Sequence, residues 1–266
     1  MVRKAWTMEF AASSMIAGYS QFLILASVLT RIGTVVCVAP MAGARTVPIP
    51  LRIAFTVAIS LVVAPVYWQT AAIAEPNWSA IGIVLGAEVV IGLCMAFGLI
   101  VLFGSLELAG QMVGQVTGIT LPGTAASNSE GPSQFTGRLL YLFGIAIFFT
   151  VGGHRILISG LLGTFQVLPP GVGRLPSDIV GMLTLMLSES FQLAIRIAAP
   201  TLLAVVGATI LYGLISRAVP QLNVWSMGYG MNMLVLLAAL SFSLGAIGYV
   251  LADEMPIYLE NMLARF

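Results

Sequence analysis

Apolar residues run along most of this chain in stretches too long for the core of a soluble domain, broken at a few places by proline, glycine and isolated charges. The first uncharged run extends from Phe10 to Thr30, is interrupted by Arg31, and resumes to Ala39 before Pro40 ends it. About 20 such residues suffice to cross a bilayer as a helix. Residues 40–50 hold Pro40, Pro48 and Pro50 beside Gly43, which reads as a loop. A second run opens at Leu51 and is uncharged from Ile53 to Ala74, with Pro65 marking a kink or an end. After a turn at Glu75, Pro76 and Asn77, a third run starts near Trp78 and passes Leu106, with Glu88 and Glu107 bracketing 18 uncharged residues.

The pattern then changes. Residues 117–137 are small and polar, punctuated by glycine and proline, and carry one acidic residue, Glu130. A loop of that length inside a compact protein is commonly functional. A shorter apolar helix is predicted from Leu139 to Gly153, then His154 and Arg155, then another apolar stretch to Leu168 closed by Pro169, Pro170 and Gly171. Ser177 and Asp178 suit the N-cap of a helix that stays apolar through Ser216. That helix exceeds one bilayer core, so it either kinks at Pro200 or projects beyond the membrane. Arg217 to Asn223 form the last turn. A final apolar helix covers Val224 to Ala252, and a short amphiphilic tail covers Asp253 to Phe266. The expectation is an all-α, membrane-associated chain of five to seven helices in a single domain.

Composition agrees. Of 266 residues 59% are hydrophobic, mean hydropathy is +1.03, and only 8% are charged, against roughly 25% in soluble domains. The apolar surface must face lipid, other subunits, or both. Net charge is +1, and the single lysine, Lys4, and ten arginines are scattered. A nucleic-acid surface needs clustered basic residues, so nucleic acid is excluded as a partner. Arg3 and Lys4 precede an apolar run too long for a signal core, and no cleavable leader is expected. The Lys and Arg bias of short loops does not orient the helices, since Arg3 and Lys4 stand one span from Arg45 and Arg52. Simple back-and-forth threading is therefore not expected.

Candidate chemistry is sparse. Arg31, Glu88, Glu107, Glu189 and Arg196 lie inside apolar runs, where a charge costs several kcal/mol unless it faces protein or water. We expect them as buried charges at helix or subunit interfaces; a proton or ion relay is the other reading. Glu189 and Arg196 are seven residues apart, about 10.5 Å of helix rise, too far for a direct pair. No nucleophile–base, phosphate-binding or metal-binding motif occurs. His154 reads as a packing or hydrogen-bonding residue, Cys37 and Cys94 as buried small hydrophobes, and the 13 methionines as core. No catalytic residue, cofactor or metal ligand is expected, and no enzymatic activity. Gly82 and Gly86 form one small-xxx-small pair; Gly110, Gly114 and Gly118 form a longer ladder beside Gln111 and Gln115, suited to close helix packing or to a gate.

Three stretches together carry a family resemblance: Leu29–Gly33 with Ala39, Pro40 and Val47–Arg52; Gly110–Gly114, the polar loop, Arg138, Gly153, His154 and Leu168–Gly171; and Ser216, Arg217, Pro220, Gln221, Leu222, Asn223 and Val224. In order, spacing and chain length the sequence resembles the FliR family of flagellar biosynthetic proteins, whose injectisome counterpart is the SctT family. The resemblance implies a subunit of a flagellar type III export gate in the bacterial inner membrane, at the flagellar basal body. FliP-, FliQ-, FlhB- and FlhA-like partners, the lipid bilayer and unfolded export substrates are implied with it. It further implies a FliP-like part over about residues 10–175, a FliQ-like hairpin over about 176–252, and the tail 253–266. The loop implied to plug the closed pore includes Thr117, Gly118, Gly123, Ser127, Asn128, Glu130 and Gly131, although this loop lacks the aromatic residue the family pattern carries there. The turn at Arg217, Pro220, Gln221 and Asn223 is implied at a subunit interface. A small-solute transporter or channel using Glu88, Glu189 and Arg196, and the equivalent subunit of a virulence injectisome, stay open as alternatives.

Overall fold

In the computed structural model, residues 2–39, 48–68, 78–116, 132–173, 175–176, 178–218 and 224–266 are described. Every regular element among them is helical: α1 (Val2–Val38), α2 (Ile49–Val63), a 3₁₀ turn (Ala64–Tyr67), α3 (Trp78–Val116), α4 (Pro132–Val151), α5 (Gly153–Val167), α6 (Ile179–Ala218) and α7 (Val224–Leu263). Among the described residues five helical segments are long and apolar enough to cross a membrane, six if α4 and α5 count as one bent span.

Local chemistry explains most boundaries. Pro65 coincides with the change from α-helix to the 3₁₀ turn, since proline removes a donor from the helical ladder. Asp178 starts α6 by accepting a hydrogen bond from the Gly181 N–H through Oδ1 at 2.9 Å. At Gly152, in the left-handed region with φ of 79°, the chain turns 70° between α4 and α5. Glycine takes that conformation without the Cβ penalty other residues meet.

Three boundaries differ from expectation. Residues 132–137, expected in the polar loop, are the first turns of α4, because Pro132 suits the first helical position where its missing donor costs nothing. Ile49 and Pro50 likewise open α2 rather than closing a loop. The expected tail 253–266 is mostly helix, since α7 runs through Pro256 to Leu263. Residues 117–131 and 219–223 lie outside the described residues, and with them Thr117, Gly118, Gly123, Ser127, Asn128, Glu130, Gly131, Pro220, Gln221 and Asn223.

The chain forms two compact units, and each draws on sequence from both sides of residue 176. The first comprises Met1–Ile100, Leu157–Leu183 and Asn261–Phe266. Its core takes Ile24, Val28, Ile32 and Val36 from α1, four residues apart and so on one helix face, packed with Val63, Ala64, Met95, Leu161 and Phe165. Leu263 and Phe266, at the end of the chain, pack against this cluster, and the Leu263 side chain fills the space a Cβ at Gly160 would need. Leu263→Ala should therefore cost about 1–2 kcal/mol, roughly half the cost of truncating a fully buried leucine. The expected readout is a melting temperature lower by about 2–8 °C for the detergent-extracted protein; an unchanged value would mean that the terminus contributes nothing to this core.

α2 inverts the soluble pattern. Its buried positions are Thr56, Ser60 and Val63, whereas Leu51, Ile53, Phe55, Leu61 and Val62 are exposed. The inward hydroxyls are satisfied on their own helix, Thr56 donating to the Arg52 carbonyl at 2.8 Å and Ser60 to that of Thr56 at 2.7 Å. Small polar groups inside and large apolar groups outside suit a helix whose surroundings are lipid or other helices rather than water.

The second unit comprises Val101–Ile156 and Thr184–Glu260. Within it α3 and α4 run antiparallel, with Gly110 against Gly137, Leu106 against Gly144, and Phe103 against Tyr141 and Phe148 at ring separations of 5.9 and 5.5 Å. α6 and α7 form a second antiparallel pair. Thr201 and Ser243 share a buried hydroxyl hydrogen bond of 2.6 Å between them, and the Tyr258 hydroxyl donates to the Met186 carbonyl at 3.5 Å.

Candidate functional site

A buried polar centre lies in the first unit. Arg31 interrupts the apolar face of α1, and Glu88 does the same in α3. The two meet: Arg31 Nε donates to Glu88 Oε2 at 2.6 Å, with side-chain exposures of 1% and 2%. The other guanidinium nitrogens reach the end of α5. Nη1 donates to Thr164 Oγ1 at 3.3 Å and Nη2 to the Leu168 carbonyl at 3.0 Å. From the opposite side Glu88 Oε1 accepts the Gly171 N–H at 3.3 Å. The Leu168–Gly171 turn, two prolines and a glycine with φ of 87°, is thus held at both ends by one ion pair. Phe165 closes the site, its ring centroid 4.3 Å from Arg31 Cζ, a cation–π contact strengthened by desolvation.

Close backbone approach makes the pair possible. A Cβ at Gly92 would stand 2.8 Å from Thr34 Cβ and 2.9 Å from the Arg31 carbonyl oxygen, so glycine lets α3 lie directly on α1. A guanidinium fan of this kind, on Glu88, Thr164 and the Leu168 carbonyl, is geometrically specific. The arrangement clamps the turn. Among the described residues no cluster of His, Cys, Asp or Glu could hold a metal ion.

The second region is the α3–α4 hairpin beside residues 117–131. A Cβ at Gly110 would come within 2.5 Å of Gly137 Cα and of the Thr136 carbonyl oxygen, and one at Gly137 within 2.9 Å of the Glu107 carbonyl oxygen. The two backbones touch there. Gly114 is buried, whereas Gly82 and Gly86 have open space where a Cβ would point, so that pair packs against nothing among the described residues. Gln111 is half-buried and donates through Nε2 to Glu107 Oε1 at 3.4 Å, and Gln115 is exposed. Arg138 lies over the Tyr141 ring at 5.6 Å.

The five charges expected to be buried divide. Arg31 and Glu88 are buried; Glu189 is half-buried; Glu107 and Arg196 are exposed in this chain. The reason for Arg196 is a pairing that spacing along one helix does not reveal: it bonds Glu254 of α7 through Nη1 and Oε1, at the hairpin surface. Glu107 is exposed because the helix face of α3 that carries it flanks the α4 contact rather than entering it. Arg217 is exposed in the last turn of α6. His154 is half-buried with its ring 5.6 Å from that of Phe149. Cys94 is buried, but Cys37, expected to be buried, is exposed. Sequence reasoning missed the joining of Arg31 to Glu88 and the part of Thr164 and Phe165. The available signal was two lone charges of opposite sign, each at a position where an unpaired charge is prohibitively costly.

Helices of this length and hydropathy, with polar groups turned inward and closed on one another, define an all-α integral membrane protein. Residues 22–256 match the family described as bacterial export proteins, family 1, and the chain belongs to that family. Among its relatives, the flagellar biosynthetic protein FliR of Caulobacter vibrioides is 23% identical over 88% of this chain and 93% of its own length. FliR of Escherichia coli is 26% identical over 80% and 82%. The secretion system apparatus protein SsaT of Salmonella typhimurium is 29% identical over 70% and 73%. The match spans Arg31, Glu88, the Leu168–Gly171 turn and the Gly110–Gly137 crossing.

Proposed function

We propose that this chain is a membrane subunit of a type III protein export apparatus, in which it forms part of the wall of the protein-conducting channel and supplies a plug. The observation that carries the reading is the family match over residues 22–256 together with FliR relatives along most of their length. The flagellar system is favoured over an injectisome because FliR proteins recur among the relatives and three of them align with 80% or more of the chain. In this reading the chain resides in the bacterial inner membrane at the flagellar basal body. It assembles there with FliP-, FliQ-, FlhB- and FlhA-like proteins and passes unfolded export substrates. It needs no catalytic group, cofactor or metal, because energy comes from elsewhere and this chain contributes walls and a movable segment.

The plug is assigned to residues 117–131. Gly118, Gly123 and Gly131 permit varied backbone angles, and the Ser, Thr and Asn residues between them suit a wet lumen. A segment held by few apolar contacts opens at modest cost. The Gly110–Gly137 contact supports the assignment, since it ties together the two helices that carry the segment. Removing residues 123–130 should let small solutes leak through membranes carrying the assembled complex, measured as growth sensitivity or ion conductance. An unchanged conductance would remove the plug assignment. Deleting the whole chain should abolish secretion of flagellar substrates, and continued secretion would remove the export reading.

A further inference from the structure

Resting on the channel-wall reading, we infer that Glu107, Gln111 and Gln115 form the wetted strip with which this chain faces the passage, and that the occupant of the strip is water, displaced by an extended polypeptide during export. These residues are four apart and share one helix face. Glu107 and Gln115 are exposed and Gln111 is half-buried. They stand in the C-terminal part of a helical segment, Ser79–Val116, that is long and apolar enough to cross a membrane. A carboxylate and two carboxamides on that face are costly against lipid.

A helix that merely leaves the bilayer would also expose polar groups, but the neighbouring helix opposes that explanation. The antiparallel pairing places Gly137 beside Gly110 and Gly144 beside Leu106. Phe135 and Leu142 of α4 therefore lie at the axial level of Glu107 and Gln111, and both are 54% exposed. At about 100° per residue they point roughly 140–160° away from the Gly137 face that meets α3. A Cβ at Gly137 would instead meet the Glu107 and Gln111 Cγ atoms, each at 3.3 Å. At one level, then, the hairpin is polar where Glu107 and Gln111 flank the contact and apolar on the far side of α4. That asymmetry is lateral, as in a wall with water on one side and lipid or apolar subunit on the other. Carboxamides that donate and accept hydrogen bonds would exchange with passing backbone amides without an apolar grip, which suits transit over retention.

The test uses the assembled complex in native membranes, in a Cys37→Ala, Cys94→Ala background that retains export. Single cysteines at positions 107, 111 and 115, and at 142 and 149 as apolar-face controls, are exposed to a membrane-impermeant charged maleimide. The thiolate is the reacting species, and a one-unit rise in thiol pKa in apolar surroundings lowers its share tenfold. The strip should accordingly label about tenfold faster or more than the controls. Arresting an export substrate fused to a tightly folded domain should slow labelling at 107, 111 and 115 and leave the controls unchanged. Equal rates at both sets, or fast labelling of the strip that the arrested substrate does not slow, overturns the inference. Secretion by a strain lacking the chain separates the two levels. If secretion requires the chain and the strip fails these tests, only the wetted-strip assignment falls; if secretion continues without the chain, the channel reading falls with it.

Discussion

Replacing Arg31 with methionine should cost about 3–5 kcal/mol, because it leaves the Glu88 carboxylate buried without its cation. Methionine keeps much of the stem that packs near Phe165, so the loss reports charge rather than volume. The informative comparison is the double variant Arg31→Met, Glu88→Gln. Glutamine is neutral and retains an oxygen that can accept the Gly171 N–H, now made by Glu88 Oε1 at 3.3 Å. Thr164 Oγ1 and the Leu168 carbonyl then lose their charged donor. The Thr164 hydroxyl still donates to the Leu161 carbonyl at 2.7 Å, so the main penalty is about 1–3 kcal/mol for the unsatisfied Leu168 acceptor. The double variant should therefore be more stable than the single one, though it carries more substitutions. Thermal denaturation of the extracted complex reads the order, and secretion in the same strains should follow it. A single variant as stable as the parent, or a double variant worse than the single, would show that the pair is not a closed ion pair clamping the turn.

How far the sequence foretold this centre depends on the kind of signal. The runs from Phe10, Leu51, Trp78 and Leu139, and the one opened by Asp178, each became a helix, because uninterrupted apolar character with few alternatives for the backbone leaves no other stable choice in a membrane. Boundaries were less legible where a residue type is ambiguous. Pro50 and Pro132 read as loop punctuation, yet proline at the first turn of a helix is favourable, and both helices began there. Pro256 lies within a helix, so the chain end read as a tail is instead part of the first unit's core. Among the candidate residues, sequence marked Arg31 and Glu88 as anomalous but not as partners, since 57 residues separate them and nothing local couples them. Arg196 shows the same gap, its partner Glu254 being supplied by another helix.

Glycine spacing was an uneven guide, since the Gly110 ladder packs and the Gly82–Gly86 pair meets no described neighbour, and it supports a test with a change of sign along one helix. Gly104 and Gly110 are both in α3, six residues apart; Gly110 belongs to the small-xxx-small ladder and Gly104 does not. A Cβ at Gly104 meets nothing within 4 Å, whereas one at Gly110 falls 2.5 Å from Gly137 Cα. Gly104→Ala should stabilise the protein by about 0.5–1 kcal/mol, the usual gain when a helical glycine becomes alanine. Gly110→Ala should destabilise it by about 1–3 kcal/mol or more, since the obstructing atoms are backbone and no rotamer change can relieve them. The same clash pries α3 from α4 beside residues 117–131. Gly110→Ala is accordingly expected to raise small-solute leakage and lower secretion, while Gly104→Ala leaves both near parental levels. Melting temperatures of the two extracted complexes, read with leakage in the same strains, decide it. If Gly110→Ala raises the melting temperature as Gly104→Ala does, the backbones do not touch at Gly137, and the support this crossing lends to the plug assignment is lost.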